Sequence, residues 1–127
     1  MYKILIVEDN ETIAAILKHI IAKNFGFPIY RATNGLEGLK IVNAFNPDII
    51  LLDLFMPLMD GKEFLYKLRR TQKFKNTPVL IVTSDNEKET IRELINLGIS
   101  DYILKPIDPD ITTQRIQTII DKIKSTD

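Results

Sequence analysis

The sequence contains no cysteine, and neither sign of charge is in excess among its 127 residues. Without thiols, disulfides, thiolate metal ligands and a cysteine nucleophile are excluded, and the composition is compatible with a reducing compartment. Basic and acidic side chains number 17 each, so no overall field attracts the chain to nucleic acid or to an acidic membrane surface. Any binding function therefore has to come from a local arrangement of side chains.

The sequence also lacks long apolar runs, internal repeats, low-complexity segments and linkers. No apolar run reaches the length that crosses a bilayer, and no basic leader precedes the first apolar run at residues 4–7. We therefore expect a cytoplasmic protein that does not insert into membranes. Its length fits a single domain over residues 1–127, which is enough chain to bury a real core.

Short apolar runs alternate with segments of helical periodicity along the whole chain. The runs at 4–7, 49–52, 79–82 and 102–104 are typical of parallel strands buried on both faces. A further strand is predicted over 27–32, and Pro28 near its start indicates an edge position. This alternation predicts an α/β fold, in which a doubly wound parallel sheet of five strands carries helices on both faces.

The five predicted helices have recognisable start and stop signals. We expect N-caps at Asn10, Asn34, Asp60 and Asp108, and a left-handed C-terminal residue at Gly98. The fourth helix is predicted over 87–97. Two of the predicted inward stripes are Ile13, Ile16, Leu17, Ile20 and Ile21 on the first helix, and Ile91, Leu94 and Ile95 on the fourth.

Polar side chains follow four of the predicted strands. Glu8 and Asp9 come after the first, Asp53 after the third, Thr83 after the fourth and Lys105 after the fifth. Singly, Asp9 or Thr83 would usually be helix caps, and Lys105 a solvated surface lysine. Together they lie at the carboxyl ends of parallel strands, which meet at the edge where open α/β sheets bind ligands.

Three carboxylates at one edge need a cation to offset their repulsion. Each like-charged pair would repel by about 4 kcal/mol at about 4 Å and an effective dielectric near 20. An all-oxygen ligand set favours a hard ion such as Mg2+, which commonly keeps waters and phosphate oxygens as further ligands. Lys105 and Thr83 would then contact phosphoryl oxygens, and Asp53 is the best candidate for a nucleophile that forms an aspartyl phosphate.

With these motifs the chain resembles, over essentially its whole length, the receiver domain of two-component response regulators, as found in single-domain chemotaxis regulators. The resemblance implies a flavodoxin-like (βα)5 fold with strand order 2-1-3-4-5. The segments that carry it are PDIILLDLFMPLMDG at 47–61, VEDN at 7–10, VTS at 82–84 and YILKP at 102–106.

The resemblance also implies a role for each site residue. Asp53 would accept a phosphoryl group from a phosphohistidine of a sensor histidine kinase or of a histidine phosphotransfer protein. Thr83 and Lys105 would contact that group, and Tyr102 would be an aromatic switch that follows Thr83. The alternative for Tyr102 is a core aromatic with its hydroxyl at the surface. The implied cofactor is Mg2+, or Mn2+, held by carboxylates of Asp9 and Asp53, the Phe55 backbone carbonyl, and Glu8 through a water.

Signalling through a protein partner follows from the same resemblance. Phosphorylation adds about 1.5 to 2 negative charges and would shift the domain between two states. The face made by residues 87–124 would then contact a downstream protein, and a phosphorylation-dependent dimer is one assembly that this allows. We expect no direct binding to nucleic acid and no turnover of a substrate as in a classical enzyme.

Two positions beside the site depart from what is common in the family. Phe55 places a bulky ring two residues after the predicted phosphoacceptor, and Asp85 places an acid two residues after Thr83. Our hypothesis is that the ring shields the phosphate from water. The acid either orients water or repels small anionic phosphodonors.

Three other functions agree less well with the sequence. The alternative is a pseudo-receiver that binds proteins without being phosphorylated, although such a module has no need for the repulsive acidic cluster. A phosphatase with an Asp-x-Asp nucleophile strand is not supported, because Phe55 replaces the second acid. A nucleotide site would want a glycine-rich phosphate loop, which is absent. His19 and the basic cluster at 69–75 are expected to be ordinary surface features.

Overall fold

The structure, a computed structural model, describes residues 1–126 of the chain. Asp127, the end of the predicted domain, lies outside the described residues. The described part contains five strands, β1 (Ile4–Val7), β2 (Ile29–Ala32), β3 (Ile49–Leu52), β4 (Val79–Thr83) and β5 (Asp101–Leu104). It contains five α-helices, α1 (Glu11–Asn24), α2 (Gly35–Phe45), α3 (Gly61–Arg69), α4 (Lys88–Leu97) and α5 (Pro109–Ser125), and one 3-10 helix at Gln72–Phe74.

All five strands pair in parallel, in the order β2-β1-β3-β4-β5, which confirms the predicted flavodoxin-like topology. The apolar runs of β1, β3 and β4 are buried at every position, as parallel strands covered on both faces require. Side chains alternate between two cores, one around Phe64 and the other around Ile116. The sheet is therefore covered by helices on both faces.

The predicted helix caps are present, because capping depends on a few neighbouring residues. The side chains of Asn10, Asn34 and Asp60 each accept a backbone N–H three residues further on, and Asp108 accepts two. The backbone of Gly98, which ends α4, has a φ of 98°. The four N-caps fix where α1, α2, α3 and α5 begin at the carboxyl edge of the sheet.

Three sequence expectations about packing and boundaries are wrong. Ile16 is 38% exposed and Ile95 is 61% exposed, although both were expected to face inward. On both helices the buried residues differ from those that the hydrophobic pattern predicts. On α1, Ala14 is buried and Ile16 is not, and Leu94 is the only fully buried side chain of α4. Strand β2 begins at Ile29 and not at residue 27, because pairing with β1 starts from Ile4.

No helix within residues 1–126 combines the length and the apolar character needed to span a membrane.

Candidate functional site

The acidic side chains predicted to converge do meet at the carboxyl edge of the sheet. One carboxylate oxygen from each of Glu8, Asp9 and Asp53 lies within 4.8 Å of the other two. Glu8 and Asp9 follow β1, and Asp53 follows the neighbouring β3, so the parallel pairing of these strands brings the acids together. Glu8 and Asp53 are almost fully buried, whereas Asp9 is exposed.

Lys105 joins this acidic cluster from β5, on the far side of β4. Its Nζ lies 2.9 Å from Glu8 Oε1 and 3.3 Å from Asp53 Oδ2. Burial lowers the pKa of Lys105, but the two carboxylates outweigh it and the net shift is upward. The ammonium group is therefore held in its charged form between two acids on different strands.

The buried carboxylate of Glu8 is only partly compensated by its surroundings. Burial is the largest cause of the upward shift in its pKa, and Asp53 adds to it, while Lys105 and the backbone of Asn10 oppose it. Oε2 accepts the backbone N–H of Asn10 at 3.2 Å. Oε1 is inaccessible to solvent and, among the described residues, faces Lys105 without a well-aligned hydrogen bond. A cluster of carboxylate oxygens from three acids fits a hard divalent cation.

Asp53 is fixed in place at the end of the central strand. Its backbone N–H donates to the carbonyl oxygen of Val7 at 3.0 Å, which continues the ladder to β1. Its side-chain Oδ1 accepts the backbone N–H of Leu54 at 2.7 Å, and Oδ2 faces Lys105. The carboxylate therefore has a defined orientation, with Oδ1 toward the backbone N–H of Leu54 and Oδ2 toward the ammonium group of Lys105.

Glycine makes this junction between β3 and α3 sterically feasible. A Cβ at Gly61 would overlap the carbonyl oxygen of Asp53 and would lie 2.8 Å from the Cα of Leu54. The backbone N–H of Gly61 donates to the carbonyl oxygen of Leu54 at 3.0 Å, which closes the loop between Asp53 and α3.

Thr83 ends β4, whereas Tyr102 lies within β5 opposite Ile81, and the two side chains share no hydrogen bond in the described chain. Thr83 is fully buried, and its hydroxyl accepts the N–H of Asp85 at a long 3.4 Å. Tyr102 is partly buried, but its hydroxyl is inaccessible and has no partner within residues 1–126. The alternative in which this hydroxyl lies at the surface is therefore wrong. Burial, with a contribution from Asp85, raises the pKa of Tyr102.

Phe55 and Asp85 lie on the loops that follow β3 and β4. The Phe55 side chain is 58% exposed on the loop after β3. Asp85 is half-buried, and its Oδ1 accepts the backbone N–H of Glu87 at 2.9 Å, so the acid is partly used to shape the loop before α4.

Arg31 is a site-adjacent residue that the sequence analysis missed. It lies on β2, and its guanidinium donates to the backbone carbonyls of Glu8 and Asp9. A lone arginine in an edge strand carries no motif, and its position one residue before the end of that strand was the only signal available.

The remaining charged features have structural explanations or are solvated. Arg69 donates to the carbonyl oxygens of Gly98 and Phe74, and so ties the end of α3 to the end of α4. His19 is exposed, as expected, whereas Phe74 within the basic cluster is buried and is not the surface feature that was predicted. Neither feature extends the carboxyl-edge site.

Comparison with known proteins identifies the family. The sequence model of the response regulator receiver domain matches residues 4–117. The chain belongs to the response regulator receiver domain family. It is therefore a signalling domain of two-component systems.

Similar proteins include receivers in several architectures. The chain is 36% identical over 121 residues to the sensor histidine kinase CheAY of Helicobacter pylori, a match that covers 94% of the chain and 15% of that protein. The CheY-like receiver domain protein of Methanospirillum hungatei has 26% identity and a TM-score of 0.92, with 100% of this chain and 99% of that chain covered. The phosphorylated cyanobacterial phytochrome response regulator RcpA has 26% identity and a TM-score of 0.83, with 99% and 96% covered.

The chain spans between 7% and 56% of the length of the curated relatives that it matches.

Proposed function

We propose that this receiver accepts a phosphoryl group on Asp53, in an Mg2+-dependent transfer from a phosphohistidine of a partner protein. The observation that carries the proposal is the position of Asp53: it ends the central strand, is 5% exposed, and lies within one cluster with Glu8, Asp9 and Lys105. Family membership and the phosphorylated state of RcpA support the same chemistry.

The chemistry needs positioning and charge neutralisation more than a general base. A carboxylate oxygen of Asp53 attacks phosphorus while the bond from phosphorus to the histidine nitrogen of the donor breaks. The bond between Oδ1 and the N–H of Leu54 orients the nucleophile before reaction. Lys105 is already 3.3 Å from Oδ2, and its flexible ammonium is suited to follow the new phosphoryl oxygens.

In this proposal the carboxylates of Asp9 and Asp53 hold Mg2+ or Mn2+, together with the backbone carbonyl of Phe55 and with Glu8 through a water. When bound, the ion neutralises charge on the transferring phosphoryl group. Support comes from the three clustered acidic oxygens.

Output would follow from rearrangement around the new phosphate. Thr83 would turn its hydroxyl, now held only by a 3.4 Å contact, toward a phosphoryl oxygen. Tyr102, whose hydroxyl has no partner in the described chain, would follow into the space that Thr83 leaves. The face formed by residues 87–124 would then bind a downstream protein or a second phosphorylated copy.

Partners and setting belong to the same proposal. The phosphodonor would be a sensor histidine kinase or a histidine phosphotransfer protein, as the kinase names among the relatives suggest. Residues 1–127 would act as one receiver domain, in the cytoplasm where such a donor would meet it.

The test is intact-mass spectrometry after incubation with Mg2+ and a small phosphodonor such as acetyl phosphate. Wild-type protein should gain the mass of one phosphoryl group, and this adduct should be lost on mild alkaline treatment, as expected for an acyl phosphate. Omitting Mg2+ by adding EDTA should prevent the gain. The Asp53→Asn variant should gain nothing.

The matched control is Asp48→Asn, the same exchange at the opposite end of β3. Asp48 Oδ2 accepts the backbone N–H of Lys3 at 2.7 Å, and an asparagine carbonyl oxygen can replace that acceptor. This variant should be phosphorylated like the wild type. An adduct that persisted in Asp53→Asn would reject the site, and a wild-type protein that stayed unmodified would favour the phosphorylation-independent binding module.

A further inference from the structure

We infer that Arg31 is a positioning residue for the metal site, acting through the backbone of the loop that carries Glu8 and Asp9. The inference rests on the proposed function, because it concerns the same Mg2+ site. It is carried by one juxtaposition: a single guanidinium on β2 donates to the backbone carbonyls of both acidic residues.

The contacts of Arg31 form a fork on two consecutive carbonyl groups. Nε and Nη2 donate to the carbonyl oxygen of Glu8 at 3.2 and 3.0 Å, and Nη2 also donates to that of Asp9 at 3.2 Å. Within residues 1–126 the guanidinium makes no ion pair with a carboxylate. Its hydrogen bonds are therefore directed at the backbone of the loop and not at the acidic side chains.

The fork extends the pairing of β1 with β2 beyond the point where the strands end. The last ladder contact is the N–H of Glu8, which donates to the carbonyl oxygen of Ala32 at 3.0 Å. The N–H that would continue this ladder to the carbonyl oxygen of Glu8 is that of Asn34, and within residues 1–126 it makes no such bond, because the chain turns into α2 at this residue. Arg31 thus supplies by its side chain the donors that the turning backbone no longer offers.

Asp9 depends on this anchoring more than the other two acids do. Glu8 and Asp53 are buried, and their carboxylates face Lys105 or backbone donors. The Asp9 side chain is exposed and has no hydrogen bond or ion pair in the described part of the chain. The place of its carboxylate is consequently set by its backbone, and Arg31 holds the carbonyl end of that backbone.

Geometry and charge predict opposite effects of removing Arg31, which makes the inference testable. A positive charge near the cluster repels a cation, so a role through charge alone would make Mg2+ bind more tightly once the charge is gone. A positioning role predicts weaker binding, because misplaced ligands lose affinity; outer-shell changes at metal sites commonly cost about tenfold or more. Lysine keeps the charge but lacks the planar fork.

The experiment measures Mg2+ affinity by isothermal titration calorimetry for wild type, Arg31→Lys and Arg31→Gln. We expect Arg31→Lys to bind about tenfold more weakly at unchanged charge. Arg31→Gln should also bind more weakly than wild type. Urea unfolding in EDTA shows that each variant is folded before its affinity is compared; if the glutamine variant does not fold, the lysine variant decides.

Arg70→Lys and Arg70→Gln are the matched controls. Arg70 lies at the exposed C-terminal end of α3, at the opposite edge of the sheet, and within residues 1–126 its guanidinium has one hydrogen bond, to the hydroxyl of Tyr66. Both controls should bind Mg2+ like wild type. An Arg31→Lys affinity equal to wild type, or tighter binding by Arg31→Gln, would overturn the positioning role while leaving the metal site intact. Absence of Mg2+ binding by wild type would overturn the proposed metal site and this inference with it.

Discussion

At the scale of single residues, we expect the Phe55 ring to limit access of water to the proposed aspartyl phosphate. Phe55 follows Asp53 by two residues, and 58% of its surface is exposed. We predict that Phe55→Ala accelerates loss of the phosphoryl group severalfold, because a smaller side chain leaves an open path for attacking water. The rate is measured by following the intact-mass adduct over time after the phosphodonor is removed.

Leu58→Ala is the control for that experiment. Leu58 is an apolar side chain on the same loop, is 80% exposed, and lies further along the chain toward α3. Its truncation should leave the lifetime of the adduct unchanged. Equal lifetimes in Phe55→Ala and wild type would show that the ring does not shield the phosphate.

The residues that the sequence predicted well are those whose position follows from strand direction. Glu8, Asp53 and Lys105 each follow an apolar run, and parallel pairing alone carries them to one edge. Arg31 and the buried hydroxyl of Tyr102 could not be predicted, because each depends on how side chains from two separate segments pack. Ile16 and Ile95 were misplaced for a related reason: periodicity gives the side of a helix, but not how much of it the sheet covers.

At the scale of elements, the junction between β3 and α3 holds the proposed phosphoacceptor and depends on Gly61. We predict that Gly61→Ala lowers the free energy of unfolding by about 2 kcal/mol or more, because the added methyl group overlaps the backbone of Asp53 and Leu54. The expected displacement of Asp53 should also reduce phosphorylation. Urea unfolding and the intact-mass assay measure the two effects.

Gly26→Ala is the control, because alanine at this position would strain the backbone without overlapping any neighbouring atom. Gly26 has a φ of 65°, but a Cβ there would have no neighbour within 4 Å. Alanine at this position should cost about 1 kcal/mol from the left-handed backbone alone and should leave phosphorylation unchanged. Equal costs at the two glycines would contradict the overlap at the β3–α3 junction.

At the scale of the whole molecule, the buried charge of Glu8 links stability to pH in metal-free protein. Its pKa is raised in the folded state, chiefly by burial, so the folded chain binds more protons than the unfolded chain above the ordinary value of 4.5. Stability contributed by this group therefore falls as pH rises from that value through the folded pKa. The Glu8→Gln variant has no ionisable group at this position and therefore lacks this pH-dependent contribution to stability.

The prediction is a difference between two proteins across a pH series. In EDTA, the unfolding free energy of Glu8→Gln relative to wild type should rise as pH increases through this window, as measured by urea unfolding. A relative stability that stayed constant, or moved in favour of wild type, would show that the folded protein accommodates the ionised Glu8 without cost.

The most direct test of the account is the position of the phosphoryl group along the chain. Hydroxylamine converts an acyl phosphate to a hydroxamate on the residue that carried it, and peptide mass spectrometry then locates that residue. The account predicts a single hydroxamate at Asp53 after Mg2+-dependent phosphorylation. A hydroxamate at Glu8 or Asp9, or none in protein treated with the phosphodonor, would contradict it.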